Sequence, residues 1–240
     1  MYEERTYRSL IHNRNFVPFQ VSVKETDLYI KADKDLSTQT RDSILKYRRQ
    51  VEEYIRGFPE FHKTFVPVPI DPFAPKIIRA MMEASKMTGV GPMASVAGGI
   101  SEFVGIDLLK FSEEVIVENG GDIFLRTSSE TRIGIYAGSS PLSNKLGIKI
   151  SPDDTPLGIC TSSGTVGHSV SFGKADAVTV ISGSATLADA AATSIGNLIK
   201  DEGDFNRGVD FAGEIEGIMG VLIILGKRMA VWGDVELVHI

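Results

Sequence analysis

Residues 158–173 read Gly-Ile-Cys-Thr-Ser-Ser-Gly-Thr-Val-Gly-His-Ser-Val-Ser-Phe-Gly, with four glycines, four serines, two threonines and no Lys, Arg, Asp or Glu. Glycine lets backbone N–H groups close on a ligand, and hydroxyls add further donors. Such a stretch can cradle a phosphate or carboxylate without any cation, through the nest that successive amides form. The candidate contacts are Thr161, Ser162, Ser163, Gly164 and Thr165. The same residue types also build ordinary connecting loops, and composition leaves both readings open. Two side chains here can do more. If 157–161 is a strand, Leu157 and Ile159 share one face while Gly158 and Cys160 share the other. His168 lies eight residues beyond Cys160. A turn between them can pair the two as a thiolate nucleophile or a sulfur carrier. A lone cysteine also serves as a small buried hydrophobe.

A second constellation is Ser184-Ala-Thr-Leu-Ala-Asp-Ala-Ala-Ala-Thr-Ser-Ile-Gly-Asn197. On a helix Asp189 and Thr193 stand four apart, hence on one face, among alanines that leave room for an approaching group. A carboxylate and a hydroxyl one turn apart form a hard oxygen pair suited to Mg²⁺ shared with a phosphate. An Asp189 that merely hydrogen-bonds nearby fits the spacing equally well. The third is Glu118-Asn119-Gly120-Gly121-Asp122. Paired glycines between two strands mark a tight turn, or a place where a ligand meets the backbone. His12, His62 and His239 have no identifiable partners and read as structural.

These residues need a frame. Alternation predicts a strand over 16–23 and a hairpin partner over 27–32. Helical spacing predicts a helix over 37–56 with Gly57 as its stop. Pro67, Pro69, Pro72 and Pro75 stiffen an extended connector, and Pro75 suits the first turn of a helix ending at Gly89. Small residues over 93–105 suit a closely packed helix. Strands are expected at 114–118, 122–126, 132–136, 146–150, 157–161 and 177–181. An Ala-rich helix over 185–199 and strands at 221–225, 229–232 and 235–239 complete the chain. Mixed order predicts α+β, with mixed or antiparallel sheets packed against helices in a single compact domain over 1–240. Residues 1–88 supply the N-terminal hairpin and helices, and 89–240 a Gly-rich core.

Composition removes several function classes. Twenty-five Lys and Arg against thirty-one Asp and Glu give a net charge of −6, a poor match to a phosphate backbone, so no nucleic-acid partner is expected. The one basic cluster, Lys46, Arg48 and Arg49, precedes Glu52 and Glu53 and reads as a solvated helix face. One cysteine, Cys160, allows no intrachain disulfide and no multi-cysteine metal site. The longest apolar run, 217–226, is too short to span a bilayer. With no apolar leader at the start of the chain, a cytoplasmic protein without membrane contact is expected. Of the 24 glycines only Gly57 precedes residue 89, so glycine concentrates where the candidate sites lie.

The motifs together carry a resemblance. Val117-Glu-Asn-Gly-Gly-Asp-Ile123 resembles the Asn-x-Gly-Gly-Asp-Ile turn of the ApbE superfamily, the FAD:protein FMN transferases. Ala177-Val-Thr-Val-Ile181 and Leu187-Ala-Asp-Ala-Ala-Ala-Thr193 are similar to its Ser-Val-Thr-Val strand and Ala-Asp-Ala-x-Ala-Thr helix. Ala97-Gly-Gly-Ile-Ser101 resembles its Leu-Gly-Gly-Ile-Ala element. The string 156–169 is closer still to the ApbE-like family of archaea and anaerobic bacteria. The resemblance implies an ApbE-like fold and Mg²⁺ held by Asp189, Thr193 and the carbonyl of Ser101 at the pyrophosphate of FAD or another nucleotide. The chain also departs from the transferases. Their Gly-Gly-Ile-Ala-Lys-Gly becomes Gly98-Gly-Ile-Ser-Glu-Phe103, placing Glu102 where they carry a cation, and their His-Ile-Ile-Asp-Pro segment is absent. These departures leave the metal and nucleotide site but put FMN transfer to protein in doubt.

Three functions follow. The first is a Mg²⁺-dependent flavin or nucleotide site, with an uncertain transferase activity. The second is sulfur handling through Cys160, since the resemblance associates the family with sulfide assimilation and homocysteine synthesis; the partner would then be a sulfur metabolite. The third is a non-catalytic subunit of a sulfur or redox complex, or a homo-oligomer, using 218–225 as its interface. A core strand is the competing reading of that run.

Overall fold

The computed structural model describes residues 16–164 and 172–240. An eight-stranded sheet is built in the order β1 (Val17–Val23), β2 (Thr26–Ala32), β3 (Val115–Asn119), β4 (Asp122–Arg126), β7 (Leu157–Ser162), β8 (Ala177–Ser182), β9 (Ile218–Leu225) and β10 (Arg228–Gly233). Every neighbouring pair is antiparallel. A second sheet of three strands runs β11 (Glu236–His239), β6 (Leu146–Ile150), β5 (Thr131–Gly134). Among the described residues the α-helices are α1 (Ser37–Gly57), α2 (Glu60–Lys63), α3 (Lys76–Thr88), α4 (Val96–Leu108), α5 (Ala185–Leu198) and α6 (Phe205–Glu214). The expected α+β class with antiparallel sheets and packed helices is what is observed.

Alternation along the strands divides the interior into two cores. On one side of the large sheet Val117, Phe124, Cys160, Val178 and Val180 meet Ile44, Met81, Val104 and Ile195 of the helices. On the other side Ile116, Ile123, Leu125, Leu157 and Ile159 meet Ile133, Ile148 and Ile150 of the small sheet. The layers are therefore helices, large sheet, small sheet. Chain order matters for the site, because β4 and β7 lie side by side although residues 127–156 separate them.

Several sequence expectations shift. Gly57 closes α1 from within, and the stop falls at Phe58 before Pro59, since a residue preceding proline disfavours helix. Gly89 does end α3, in the left-handed conformation at φ 77°. The helix expected over 93–105 opens as a 3₁₀ turn, Pro92–Ser95, before α4 proper. Helices α2 and α6 were not expected; α2 is a single turn, and Gly208 and Gly213 dilute the periodicity of α6. The basic cluster is a solvated face only in part: Arg49 pairs with Glu53 at 2.8 Å in the open, whereas Arg48, on Glu52 at 2.9 Å, is largely covered and also holds Glu25 and Thr26, and Lys46 pairs with Asp107 at 2.8 Å. The apolar run 218–225 is β9, an inner strand between β8 and β10 that is mostly buried. Its apolarity belongs to the core and does not supply the interface considered above. Among the described residues no helix is long and apolar enough to cross a membrane.

Candidate active site

The β3–β4 hairpin turns on two residues, with Asn119 paired to Asp122. Gly120 and Gly121 have φ of 69° and 108°, which side chains resist and glycine allows. The turn is tied from both sides: Gly121 N–H donates to Glu118 Oε1 at 3.0 Å, and Asn119 Nδ2 donates to the Ala97 carbonyl at 3.1 Å. Register then sets Asp122 opposite Cys160 across β4 and β7. Both point to the helix side, as the strand alternation expected for Cys160. Gly158, two residues earlier on that face, has no room for a side chain: a Cβ there would lie 2.2 Å from Ala185 Cα. Through this close approach Cys160 Sγ reaches the Ala185 carbonyl at 3.3 Å.

Helices α4 and α5 meet through their N-terminal turns and cap each other. A Cβ on Gly98 would fall 2.3 Å from the Ala185 carbonyl oxygen and 2.7 Å from Asp189 Cβ, so only glycine lets the helices meet here. The side chain of α4's own N-cap, Ser95, makes no capping bond. Asp189 substitutes for it: its Oδ2 accepts the Gly98 N–H at 2.8 Å, filling an orphan donor of the first turn. In return Glu102 Oε2 accepts from Ser184 Oγ, Thr186 N and Thr186 Oγ1, each at 2.8 Å, at the start of α5. Each helix thus carries a carboxylate at the other's positive end. Glu102, the departure from the transferase pattern, has a structural task.

Asp122, Asp189, Cys160 and Glu118 are all buried. Burial raises the carboxyl of Asp122 well above its usual range, and the charges of Asp189 and Glu118 push the same way; a hydrogen bond with Cys160 opposes them. Burial also raises Asp189, to about 7, against the lowering effect of the Gly98 and Ala97 amides. The Cys160 thiol is pushed up by burial and by the neighbouring Asp122 and Asp189. A nucleophilic cysteine needs a cationic or amide-rich setting that favours thiolate. This one is dry and faces carboxylates, so the structure weighs against the nucleophile and carrier readings of Cys160.

Of the sequence candidates, Asn119, Gly120, Gly121, Asp122, Cys160 and Asp189 converge on the first turn of α4. Thr193 lies half-buried one turn along α5 from Asp189. His168 and Thr165 lie outside the described residues. The backbone cradle is smaller than expected. Thr161 N–H donates to the Gly121 carbonyl at 3.3 Å and Gly164 N–H to the Ala175 carbonyl at 2.9 Å, so sheet pairing has consumed both amides. The Thr161 hydroxyl sits 2.9 Å from that of Thr179, on the opposite face from Cys160. Ser162, on the helix face, lies beside Gly196, and Ser163 is half-buried. Ser101 stands inside α4, with its hydroxyl donating to the Gly98 carbonyl at 2.9 Å. Among the described residues no group of three or more His, Cys, Asp or Glu is arranged to hold a metal ion. A surface groove of about 510 Å³ lined by Tyr54, Phe58, Ile70 and Met82 shares none of these residues. Sequence reasoning missed the Ala97 carbonyl and the Gly98 amide, and named Glu102 without its role at the start of α5. The small-residue run beside Ser184-Ala-Thr186 was the available signal.

The family model described as AbpE bacteria matches residues 8–209. A UPF0280 protein of Methanococcus aeolicus is 43% identical over 222 residues, covering 90% of each chain. A UPF0280 protein of Methanocaldococcus jannaschii is 40% identical over 222 residues, again 90% of each. Among solved structures, the flavin transferase ApbE from Vibrio cholerae superposes with a TM-score of 0.58 at 16% identity, over 91% of this chain and 97% of its own. The apo flavinyl transferase ApbE of Pseudomonas stutzeri gives 0.58 at 15% identity, over 90% and 93%. At such identities the likeness is one of fold.

Proposed function

The chain belongs to the AbpE bacteria family, and from that membership we propose that it binds a flavin or other nucleotide by its phosphates, together with Mg²⁺, along the Asp189–Thr193 face of α5. The observation that carries this reading is the buried Asp189–Asp122 pair at the first turn of α4, on the helix face of β4 and β7, where β7 ends in Ser162 and is followed by Ser163. Two buried carboxyls raised by their surroundings are a setting that a divalent cation relieves.

The donor set fits Mg²⁺ in part. Asp189 and Thr193 offer hard oxygens, and the carbonyl of Ser101 lies in α4, the helix whose first turn Asp189 caps. A protein that supplies so few ligands leaves the remaining positions to water and to phosphate oxygens, the usual arrangement for Mg²⁺ at nucleotide sites. The ion, when bound, offsets pyrophosphate charge and positions it for attack by an acceptor hydroxyl. The chain's own residues do the rest. Asp189 holds α4 through Gly98, Asn119 fixes the Gly-Gly turn against Ala97, and the hydroxyls of Ser162, Ser163 and Thr193 donate to phosphate oxygens.

Equilibrium titration with FAD, FMN, ATP and ADP, each with and without Mg²⁺, tests this. At least one is expected to bind, more tightly with Mg²⁺, and to lose tenfold or more in Thr193→Ala and Asp189→Ala. Thr193→Ala keeps the test valid if Asp189→Ala fails to fold. Absence of binding below the millimolar range for all four ligands overturns the proposal.

A further inference from the structure

We propose that Phe65 and Phe172 form an aromatic corner that receives the planar heteroaromatic ring of the nucleotide, at the opposite end of the α5 face from Asp189. The inference rests on the function proposed above and names the part of the ligand that the phosphate site leaves unaccounted for.

The two rings meet edge to face, with centroids 5.6 Å apart and an interplanar angle of 73°. Both are largely in solvent, Phe65 at 61% and Phe172 at 55% exposure. Aromatic side chains displayed this way leave apolar area uncovered. Their backbones, by contrast, are pinned. Phe172 N–H donates to Asn197 Oδ1 at 2.8 Å, and its carbonyl accepts from Lys200 Nζ. Phe65 sits between Thr64 and Val66, where Thr64 Oγ1 bridges the carbonyl and N–H of Val66 at 3.0 and 3.1 Å. Gly91 packs against that turn so closely that a Cβ would fall 2.0 Å from the Thr64 carbonyl oxygen. A loop held this firmly fixes where its ring stands, which is the preorganisation a recognition surface needs.

Helix α5 connects the corner to the phosphate site. Asp189, Thr193 and Asn197 follow at intervals of four, so they share one face. At 1.5 Å per residue, Asp189 and Asn197 are about 12 Å apart along the axis. The phosphate donors Thr193 and Ser162, the latter beside Gly196, lie between these two ends, so a ligand held by them reaches Asn197 and the Phe172 that it anchors with its ring. Two rings at a steep angle leave one face open for stacking and present the edge of the other, the two geometries aromatic groups prefer. A pyrophosphate alone has nothing to place there. Isoalloxazine and adenine share the required planar π-face, and FAD carries both.

Calorimetric titration of the full chain with FMN, ADP and inorganic pyrophosphate, all with Mg²⁺, separates the parts. In Phe65→Ala and Phe172→Ala, FMN or ADP affinity is expected to fall about tenfold, the scale of ring stacking on an aromatic side chain, with pyrophosphate unchanged. Phe65→Tyr, which keeps the π-face, is expected to restore binding, and matching thermal midpoints check folding. Loss confined to FMN identifies a flavin ring in the corner; loss confined to ADP identifies adenine. Unchanged affinity for both ring ligands, or an equal loss for pyrophosphate, overturns the corner. A wild-type chain that binds FMN or ADP but not pyrophosphate, and loses them in the Phe variants, retains the corner while removing the phosphate site. A wild-type chain that binds none of the three overturns both.

Discussion

Strands β4 and β7 present two very different faces. Toward the small sheet they show Ile123, Leu125, Leu157 and Ile159, an unbroken aliphatic surface. Toward the helices the same strands show Asp122, Phe124, Gly158 and Cys160, a face holding a carboxyl, a thiol and an absent side chain. Both faces are buried, but only one is satisfied by packing alone. The helix face relies on close approaches at Gly158 and Gly98, and on carboxyl groups kept from water. The sheet's alternation confines the chemistry to one side and leaves the other to hold the strands in register.

The largest effect is expected on the apolar side. Leu125→Ala is expected to cost about 2–5 kcal/mol by cavity formation, read as a lowered urea midpoint, with nucleotide affinity of the folded fraction unchanged. A comparable loss of affinity would mean that the two faces are not separable.

On the helix side the expected signature is pH dependence. A raised carboxyl pKa means that the folded state keeps a proton the unfolded chain releases. The stability these buried carboxyls contribute is therefore full below about pH 4, the unfolded carboxylate value, and is lost as pH rises toward about 7, where Asp189 titrates. The slope is about 1.4 kcal/mol per pH unit for each proton retained. Urea midpoints from pH 4 to 8 in the presence of a chelator should show it, and Asp122→Asn should flatten it. A stability that climbs over that window contradicts the electrostatic description. Leu125→Ala should lower the whole curve without changing its slope.

Smaller effects follow. Glu102→Ala removes the acceptor shared by Ser184 and Thr186 at the start of α5. A loss of about 1 kcal/mol is expected, in the range of helix caps, and restoring lysine as in the transferases should not recover it. The smallest response should come from Cys160. Iodoacetamide at pH 8 is expected to leave it unmodified in the native chain and to label it after denaturation, as followed by intact mass. Rapid native labelling would revive a reactive thiol.

Much of the fold was legible because its signals are local. Alternation marked the strands, the Gly120–Gly121 pair marked the turn between two of them, and Gly89 marked the end of α3, each in the positive-φ region that glycine allows. The face of Cys160 also followed from strand period. Helix α6 was not legible, because its glycines interrupt the apolar repeat. At the site, Asp189 was legible as a polar residue in an alanine helix, but its partner was not. The Gly98 amide lies 91 positions away, and only the packing of α4 on α5 brings it near. Glu102 illustrates the same limit, since its place where the transferases carry a cation spoke only to FMN transfer, whereas the structure gives the carboxylate a helix to cap. The glycines of 158–173 left a ligand cradle and an ordinary loop equally open, and Gly158 and Gly164 serve contacts within the protein. Composition does not distinguish an amide open to a ligand from one spent on a strand.

Thermodynamic coupling between Mg²⁺ and FAD tests the central claim most directly. FAD is titrated with and without saturating Mg²⁺, and Mg²⁺ with and without saturating FAD. A site completed by phosphate oxygens should show each ligand tightening the other by the same factor, fivefold or more, with the coupling abolished in Thr193→Ala. FAD affinity indifferent to Mg²⁺, or coupling that survives intact in Thr193→Ala, would contradict a shared site on the Asp189–Thr193 face.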